Sequence, residues 1–203
     1  MKHTVRLTAL AEISGRTRDT IRALQNRQIT PWDDTEFADQ PGYRNYTGLH
    51  ALTLVLAEML SGMNIHADRA AELVRDNLHV VNKFLDGIDK GKGVQPLFIA
   101  NIVTLEFDSW VGRNWKETEL LSTGTFEEIA NTFAAKGELA GQEKQTRGGR
   151  SIERSTGVIN VAVVALAEAY LILKERAEAA GFVLDGRKIY KIKDAETEEG
   201  DSL

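Results

Sequence analysis

The 203-residue chain contains no cysteine, only three prolines, and few aromatic side chains, 7% of the total. The lack of cysteine excludes disulfide bonds, thiolate catalysis and metal sites with cysteine ligands. Residues 1–6 hold no apolar segment, so we expect no signal peptide. The longest apolar run, 158–173, is interrupted by Asn160 and Glu168 and is shorter than the roughly 18 residues of a membrane span. We therefore expect a soluble cytoplasmic protein with no membrane partner.

Catalytic and metal-binding motifs are also missing from the sequence. The four histidines, His3, His50, His66 and His79, do not have the spacing of metal ligands on one helix face. We expect His50 and His66 on helix surfaces. The glycine-rich segment 87–93 lacks the Ser or Thr that follows Gly-Lys in a phosphate-binding loop. Because no nucleophile–base pair is visible either, we expect no enzyme, no catalytic residue, no metal and no cofactor.

Charge is distributed unevenly along the chain. The formal net charge is −5, which taken alone disfavours a nucleic-acid partner. However, residues 1–30 carry six cations against two carboxylates. The last ten residues carry five carboxylates and no cation. Phosphates interact with the local charge of a surface rather than with the net charge of the chain. The basic N-terminal region is therefore the candidate for binding them.

The N-terminal segment, 1–77, has the pattern of short helices with one non-helical insert. The predicted elements are a helix from Thr8 to Gly15, a helix from Thr17 to Asn26, a short β-hairpin or wing at 32–46, a helix from Thr47 to Gly62 and a helix over 64–77. Thr8, Thr17 and Thr47 are the expected N-terminal caps. The glycines after the first and third helices are the expected stop signals.

The rest of the chain has a different pattern. The predicted elements are a helix over 78–88, a strand or buried helix over 96–107, a helix that begins at Thr125 with a capping box to Glu128, a flexible linker over 136–155, a helix over 156–180, one short strand within 182–191, and an acidic disordered tail. The 156–180 segment is apolar nearly all round. We therefore expect a second copy of the chain to cover it.

These patterns together predict a mainly α protein. Its N-terminal part is a winged helix-turn-helix with a small β wing, and its C-terminal part is α-rich or α+β with a long apolar helix. The predicted domains are a DNA-binding domain (1–77), a middle region of unknown role (78–135), a linker (136–155), a candidate dimerisation element (156–191) and a tail (192–203).

The second helix is the candidate recognition element. Ile21 and Leu24 lie three residues apart and are expected to face the core. The side chains left for the outer face and the first turn are Arg16, Thr17, Arg18, Arg22 and Gln25. Arginine can contact guanine with two hydrogen bonds, while threonine and glutamine contact bases or phosphates.

Three segments together resemble one family. Residues 10–22 (LAEISGRTRDTIR), 42–47 (GYRNYT) and 60–65 (LSGMNI) are similar to the winged helix-turn-helix of MerR-type transcriptional regulators. The resemblance covers residues 5–76, about a third of the chain. It implies that the second helix enters the major groove of double-stranded DNA while the wing holds the backbone.

The resemblance also implies roles for particular residues. Arg22 corresponds to the arginine of the family's Thr-Ile-Arg signature, Arg44 to the wing arginine, and Tyr43 and Tyr46 to the wing tyrosines. An arginine fork matches phosphate geometry, and a tyrosine hydroxyl is a donor of short reach. The chain departs from the family at residues 23–24, where Ala-Leu replaces two aromatic residues, and at Asp19, where a cation is common. It also lacks the cysteines of the metal-sensing members.

The sequence therefore predicts a MerR-like, sequence-specific transcriptional regulator that binds DNA as a homodimer. Its DNA-binding residues are Arg16, Thr17, Arg18, Arg22, Gln25, Tyr43, Arg44 and Tyr46. One alternative is an excisionase-like or phage-type architectural protein that bends or packs DNA. Another is a C-terminal domain that binds an unknown small-molecule or protein effector and is regulated together with the DNA-binding head.

Overall fold

The computed structural model describes residues 3–37, 44–108, 114–139, 143–147 and 150–192. As the sequence predicts, this part of the protein is mainly helical; it also contains small antiparallel sheets. The chain divides into two compact units: a helical unit (1–96 and 164–203) and a sheet unit (97–163). This division differs from the predicted series of domains, because the chain returns to its first unit after residue 163.

The elements have the following bounds. In chain order they are α1 (Leu7–Ser14), α2 (Arg18–Asn26), a 3-10 helix (Asp34–Phe37), α3 (Gly48–Gly62), α4 (Ala67–Asp76), α5 (Leu78–Asp89), β1 (Phe98–Asp108), β2 (Asn114–Gly124), α6 (Phe126–Leu139), β3 (Glu143–Arg147), β4 (Arg150–Ala165), α7 (Leu166–Ala179), β5 (Phe182–Asp185) and β6 (Lys188–Lys191). No helix in the described ranges combines the length and the hydropathy that crossing a bilayer requires.

Local signals determine how α1 ends and α2 begins. Gly15 has a φ of 72°, and its N–H bonds the last carbonyls of α1, a conformation that favours glycine. The Thr17 hydroxyl accepts a hydrogen bond from the Thr20 N–H at 3.1 Å, which confirms it as the cap of α2. The prediction for Thr8 is wrong, since the N-cap of α1 is Arg6.

Helix α3 is the centre of the helical unit. It packs against α1, α4, α5 and α7, and most of its side chains are buried. As predicted, it begins after Thr47, whose N–H donates to Nδ1 of His50 at 3.1 Å. His50 is 3% exposed, so its predicted place on a helix surface is wrong. His66 is exposed.

A hairpin formed by β5 and β6 covers the beginning of α3. The sequence predicted one strand here, whereas the structure has two antiparallel strands. The Gly48 N–H donates to the Arg187 carbonyl at 2.8 Å. A Cβ atom at Gly48 would clash with the Gly186 carbonyl oxygen, so this contact requires glycine. Arg187 also forms ion pairs with Asp86 and Asp89 at 2.7 and 2.6 Å.

The sheet unit contains one antiparallel sheet with the strand order β2-β1-β4-β3. Strand β1 pairs with β2 along their full lengths, from Phe98 opposite Gly124 to Asp108 opposite Asn114. The segment 96–107, predicted as a strand or a buried helix, is thus a strand. The capping box of α6 is confirmed, because the Thr125 N–H donates to the Glu128 carboxylate at 2.6 Å and the Glu128 N–H donates to Thr125 Oγ1 at 3.3 Å.

The predicted long apolar helix over 156–180 is wrong in its bounds and in its surface. Residues 156–165 belong to strand β4, and the helix that follows, α7, has only 14 residues. Five of the seven residues 158–164 are β-branched, which favours a strand over a helix. Helix α7 is not apolar all round either, since Glu168, Lys174 and Glu175 are exposed. The region predicted as a flexible linker, 136–155, contains the end of α6, β3 and the start of β4.

The predicted hairpin or wing at 32–46 is described only in part. Its first residues form the 3-10 helix, and its end forms an isolated antiparallel bridge between Val5 and Tyr46. Residues 38–43 and the acidic tail from 193 onward lie outside the described residues.

Four aromatic rings anchor this segment to α3. The rings of Tyr46 and His50 contact each other and the rings of Trp32 and Phe37, with centroids 5.2 to 6.1 Å apart. Trp32 is fully buried, and Phe37 and Tyr46 are 6% and 2% exposed. Edge-to-face contacts of this kind add to the gain from burial. This aromatic cluster therefore fixes the path of the chain between α2 and α3.

We expect Trp32→Ala to lower the free energy of unfolding by about 3–5 kcal/mol, because it leaves a large cavity in the aromatic cluster. Urea denaturation followed by circular dichroism measures this change. Leu171→Ala is the control, since Leu171 is 55% exposed on α7 and should change stability by less than about 1 kcal/mol. Equal effects of the two substitutions would contradict the assigned role of the cluster.

We expect the folded protein to lose stability at alkaline pH because of Tyr170. Burial raises the pKa of Tyr170 above its ordinary value of 10.0, and its hydroxyl accepts the Gly186 N–H at 2.9 Å. The protonated Tyr170 hydroxyl makes its full contribution to the free energy of unfolding below the pKa of the unfolded state. This contribution is lost as the pH rises through the higher pKa of the folded state. Tyr170→Phe should therefore lose less stability than the wild type between pH 8 and a pH above 10. Denaturation at the two pH values measures this difference. The same pH profile in both proteins would contradict the assignment.

Candidate nucleic-acid interface

Four arginines line one groove in the helical unit. The groove has a volume of about 470 Å³ and is bounded by Arg6, Leu7, Thr8, Arg18, Arg22, Gln25, Arg44 and Tyr46. We call it the arginine groove. None of these lining residues is acidic, so the groove presents positive charge with hydroxyl and amide groups beside it. Such a surface is suited to an anion with several negative charges.

The backbone brings residues from three parts of the sequence to this groove. Val5 and Tyr46 exchange two hydrogen bonds, with N–O distances of 2.8 and 2.9 Å. This bridge places Arg6, at the N-cap of α1, beside Arg44, which comes two residues before Tyr46. Arginines from α2 complete the groove.

Helix α2 contributes two arginines four residues apart. Arg18 and Arg22 therefore lie on the same helix face, and both are exposed. Among the described residues, no carboxylate pairs with either of them. Like charges at this spacing destabilise a helix by about 0.2–0.5 kcal/mol. An anion bound between them would remove that repulsion.

Arg44 is held in place before any ligand binds. Its Nη1 lies 2.9 Å from Asp34 Oδ1, and its guanidinium carbon lies 5.0 Å from the centre of the Phe37 ring. Asp34 is fixed in turn, because the Trp32 Nε1–H and the Thr30 hydroxyl each donate to its carboxylate at 3.0 Å. An arginine fixed in this way loses less conformational entropy when it binds a phosphate.

Tyr46 connects the groove to the core. Its ring belongs to the aromatic cluster, while its hydroxyl accepts a hydrogen bond from Gln25 Nε2 at 2.8 Å. This contact orients the half-buried Gln25 amide toward the Tyr46 hydroxyl. Tyr46, which is 2% exposed, is therefore mainly a packing residue, although it also lines the groove.

The structure brings together five of the eight predicted DNA-binding residues: Arg18, Arg22, Gln25, Arg44 and Tyr46. Arg16 does not line the groove; its Nε lies 3.9 Å from Glu58 on α3. The Thr17 side chain caps α2. Tyr43 lies outside the described residues.

Arg6 is the one arginine of the groove that the sequence did not indicate. It is not among the predicted DNA-binding residues, whereas it lines the arginine groove. Its position depends on the bridge between Val5 and Tyr46, a contact between segments that are far apart in the sequence. The only signal in the sequence was its place in the basic N-terminal segment.

A second groove adjoins the first. It has a volume of about 450 Å³ and lies between α1 and the β5–β6 hairpin. We call it the hairpin groove. Phe182, Ile189 and Tyr190 form its apolar wall, and it shares Arg6 and Thr8 with the arginine groove. The two grooves are therefore contiguous.

In the part of the chain that the structure describes, no group of three or more His, Asp or Glu residues is placed to hold a metal ion. The side chains of the arginine groove are cations and neutral donors, so they fit an anionic ligand rather than a cation.

No protein-family model matches the chain, and no curated protein matches it with significant similarity. The function is therefore inferred from the chemistry and geometry of the arginine groove.

We expect Asp34→Ala to lower the free energy of unfolding by about 1–3 kcal/mol, because it leaves the buried Trp32 indole N–H without its acceptor. Asp76→Ala is the matched control: Asp76 is exposed at the end of α4, and its loss should change stability by no more than about 0.5 kcal/mol. Chemical denaturation of both variants measures the difference. A loss for Asp34→Ala as small as that of the control would show that Asp34 does not hold this segment.

Proposed function

We propose that the protein is a sequence-specific DNA-binding transcriptional regulator with a MerR-like winged helix-turn-helix, acting in the cytoplasm as a homodimer. The observation that carries this proposal is the arginine groove, in which four arginines meet without an acidic neighbour among the lining residues. The resemblance of residues 10–22, 42–47 and 60–65 to the family agrees with it.

The chemistry of the groove fits a duplex backbone. DNA carries one phosphate charge per about 1.7 Å of helix axis. Arginines from α1, α2 and the segment before α3 would contact successive phosphates. Each contact releases condensed counterions, which makes the affinity fall as the salt concentration rises.

Sequence would be read by the outer face of α2. Arg22 and Gln25 lie one turn apart on that face and line the groove together. Arginine pairs with guanine, and glutamine pairs with adenine, through two hydrogen bonds in the major groove. Arg44 belongs to a different segment and would hold the backbone, which positions α2 without reading bases.

The dimer is proposed without the contact that the sequence suggested, since the apolar helix over 156–180 does not exist. Two heads related by a twofold axis would bind half-sites about 34–36 Å apart, or a multiple of that distance. Selection from a random DNA library tests this point. A palindromic consensus supports a symmetric regulator, whereas no enrichment supports the architectural alternative.

We expect Arg22→Ala and Arg44→Ala each to weaken DNA binding about tenfold, with the loss for Arg44→Ala equal on all sequences. The Arg44 variant should also reduce the slope of log affinity against log salt by about one. Fluorescence anisotropy with a labelled duplex at several salt concentrations measures both quantities.

Lys174→Ala is the control with the same change of charge. Lys174 is exposed on α7 and does not line the arginine groove, so its loss should leave the affinity and the slope nearly unchanged. Circular dichroism would verify that all three variants are folded. Wild-type affinity and slope in both arginine variants would refute the proposed function.

A further inference from the structure

The last described strand of the chain ends beside the arginine groove. Lys191, the final residue of β6, lines the hairpin groove together with Arg6 and Thr8. The same Arg6 and Thr8 line the arginine groove. Strand β6 therefore ends in a groove that adjoins the arginine groove.

The segment that follows has the opposite charge to the groove. Asp194, Glu196, Glu198, Glu199 and Asp201 are its acidic residues, and residues 194–203 contain no Lys or Arg. We call 194–203 the acidic tail. Its five carboxylates complement the charge of Arg18 and Arg22, the two groove arginines with which no described carboxylate pairs.

The segment is also long enough to reach along the groove. Eleven residues follow Ile192, and at about 3.3–3.6 Å per residue they span at most about 36–40 Å. Helix α2, with nine residues, is only about 14 Å long at about 1.5 Å per residue. The extended segment is therefore more than twice as long as the helix that carries Arg18 and Arg22.

We propose that the acidic tail binds the arginine groove of its own chain and competes there with the phosphates of DNA. The competition with DNA rests on the proposed function, whereas the contact between tail and groove does not. Single exposed ion pairs are weak. However, a short tether gives the tail a millimolar effective concentration at the groove, and several pairs form at once.

Competition of this kind depends on salt. Exposed ion pairs are screened over a Debye length of about 10 Å at 0.1 M salt. The tail should therefore protect the groove from weak, non-specific anions at low salt. A duplex with many phosphates displaces it, because more contacts form than the tail can make.

A direct test needs no DNA. The chain contains no cysteine, so Ser202→Cys provides a single site for a nitroxide spin label on the full chain. We expect the label to weaken the NMR signals of the Arg18 and Arg22 amides at least twofold at low salt. The effect should disappear in about 0.5 M salt and in a labelled variant with Asp194→Asn, Glu196→Gln, Glu198→Gln, Glu199→Gln and Asp201→Asn.

Two outcomes would overturn the contact: undiminished α2 signals, or the same loss of signal in the neutral-tail variant. Either result is independent of whether the protein binds DNA. Conversely, loss of signal in a protein that binds no duplex would support the contact and refute the proposed function.

The effect on DNA binding is tested with the same neutral tail. We expect it to raise the affinity for a duplex about threefold to tenfold at low salt, with a gain that shrinks as salt rises. Simple repulsion between tail and DNA would give the same gain in an Arg22→Ala background. Competition for the groove predicts a smaller gain there, so an equal gain in both backgrounds would overturn the competition.

Discussion

The arrangement of the N-terminal region depends on the three contacts of Tyr46. Its backbone pairs with Val5, its ring packs in the aromatic cluster, and its hydroxyl accepts from Gln25 on α2. A buried phenol needs a hydrogen-bond partner, and here the partner belongs to the helix that carries two groove arginines. One side chain thus couples the start of the chain, helix α2 and the segment before α3, and the positions of the arginines follow from that coupling.

The positive charges of the arginine groove repel one another, and this repulsion opposes folding. Arg44 has a carboxylate partner in Asp34, whereas the two arginines of α2 have none within the described chain. The structure supports Arg44 through a chain of contacts that begins with the buried Trp32 indole. Repulsion that is tolerated in a well-supported site agrees with the proposed binding of an anionic ligand. The arginine groove has both the α2 arginines without a described carboxylate partner and the well-supported Arg44.

Features that depend on neighbouring residues could be predicted from the sequence, and features that depend on distant residues could not. The end of α1 at Gly15, the cap at Thr17 and the capping box at Thr125 are each determined by residues close by in the sequence. The strand at 156–165 was mistaken for a helix because an apolar run has no period that separates the two. The sequence predicts Arg16 on the DNA-binding surface, whereas in the structure it lies beside Glu58 of α3. This contact could not be predicted because the two residues are far apart in the sequence.

Helix α7 completes a structure that begins at the other end of the chain. Its Arg176 donates to the Ser14 carbonyl at 2.8 Å and to the Glu58 carboxylate at 3.0 Å, and α7 packs on both α1 and α3. The sheet unit is therefore an insertion between two halves of one core. During synthesis, the part of α3 that packs against α7 has no cover until α7 leaves the ribosome. The N-terminal helices then reach their final packing only after the whole insertion has been translated, and until that moment the nascent chain exposes a surface that chaperones recognise.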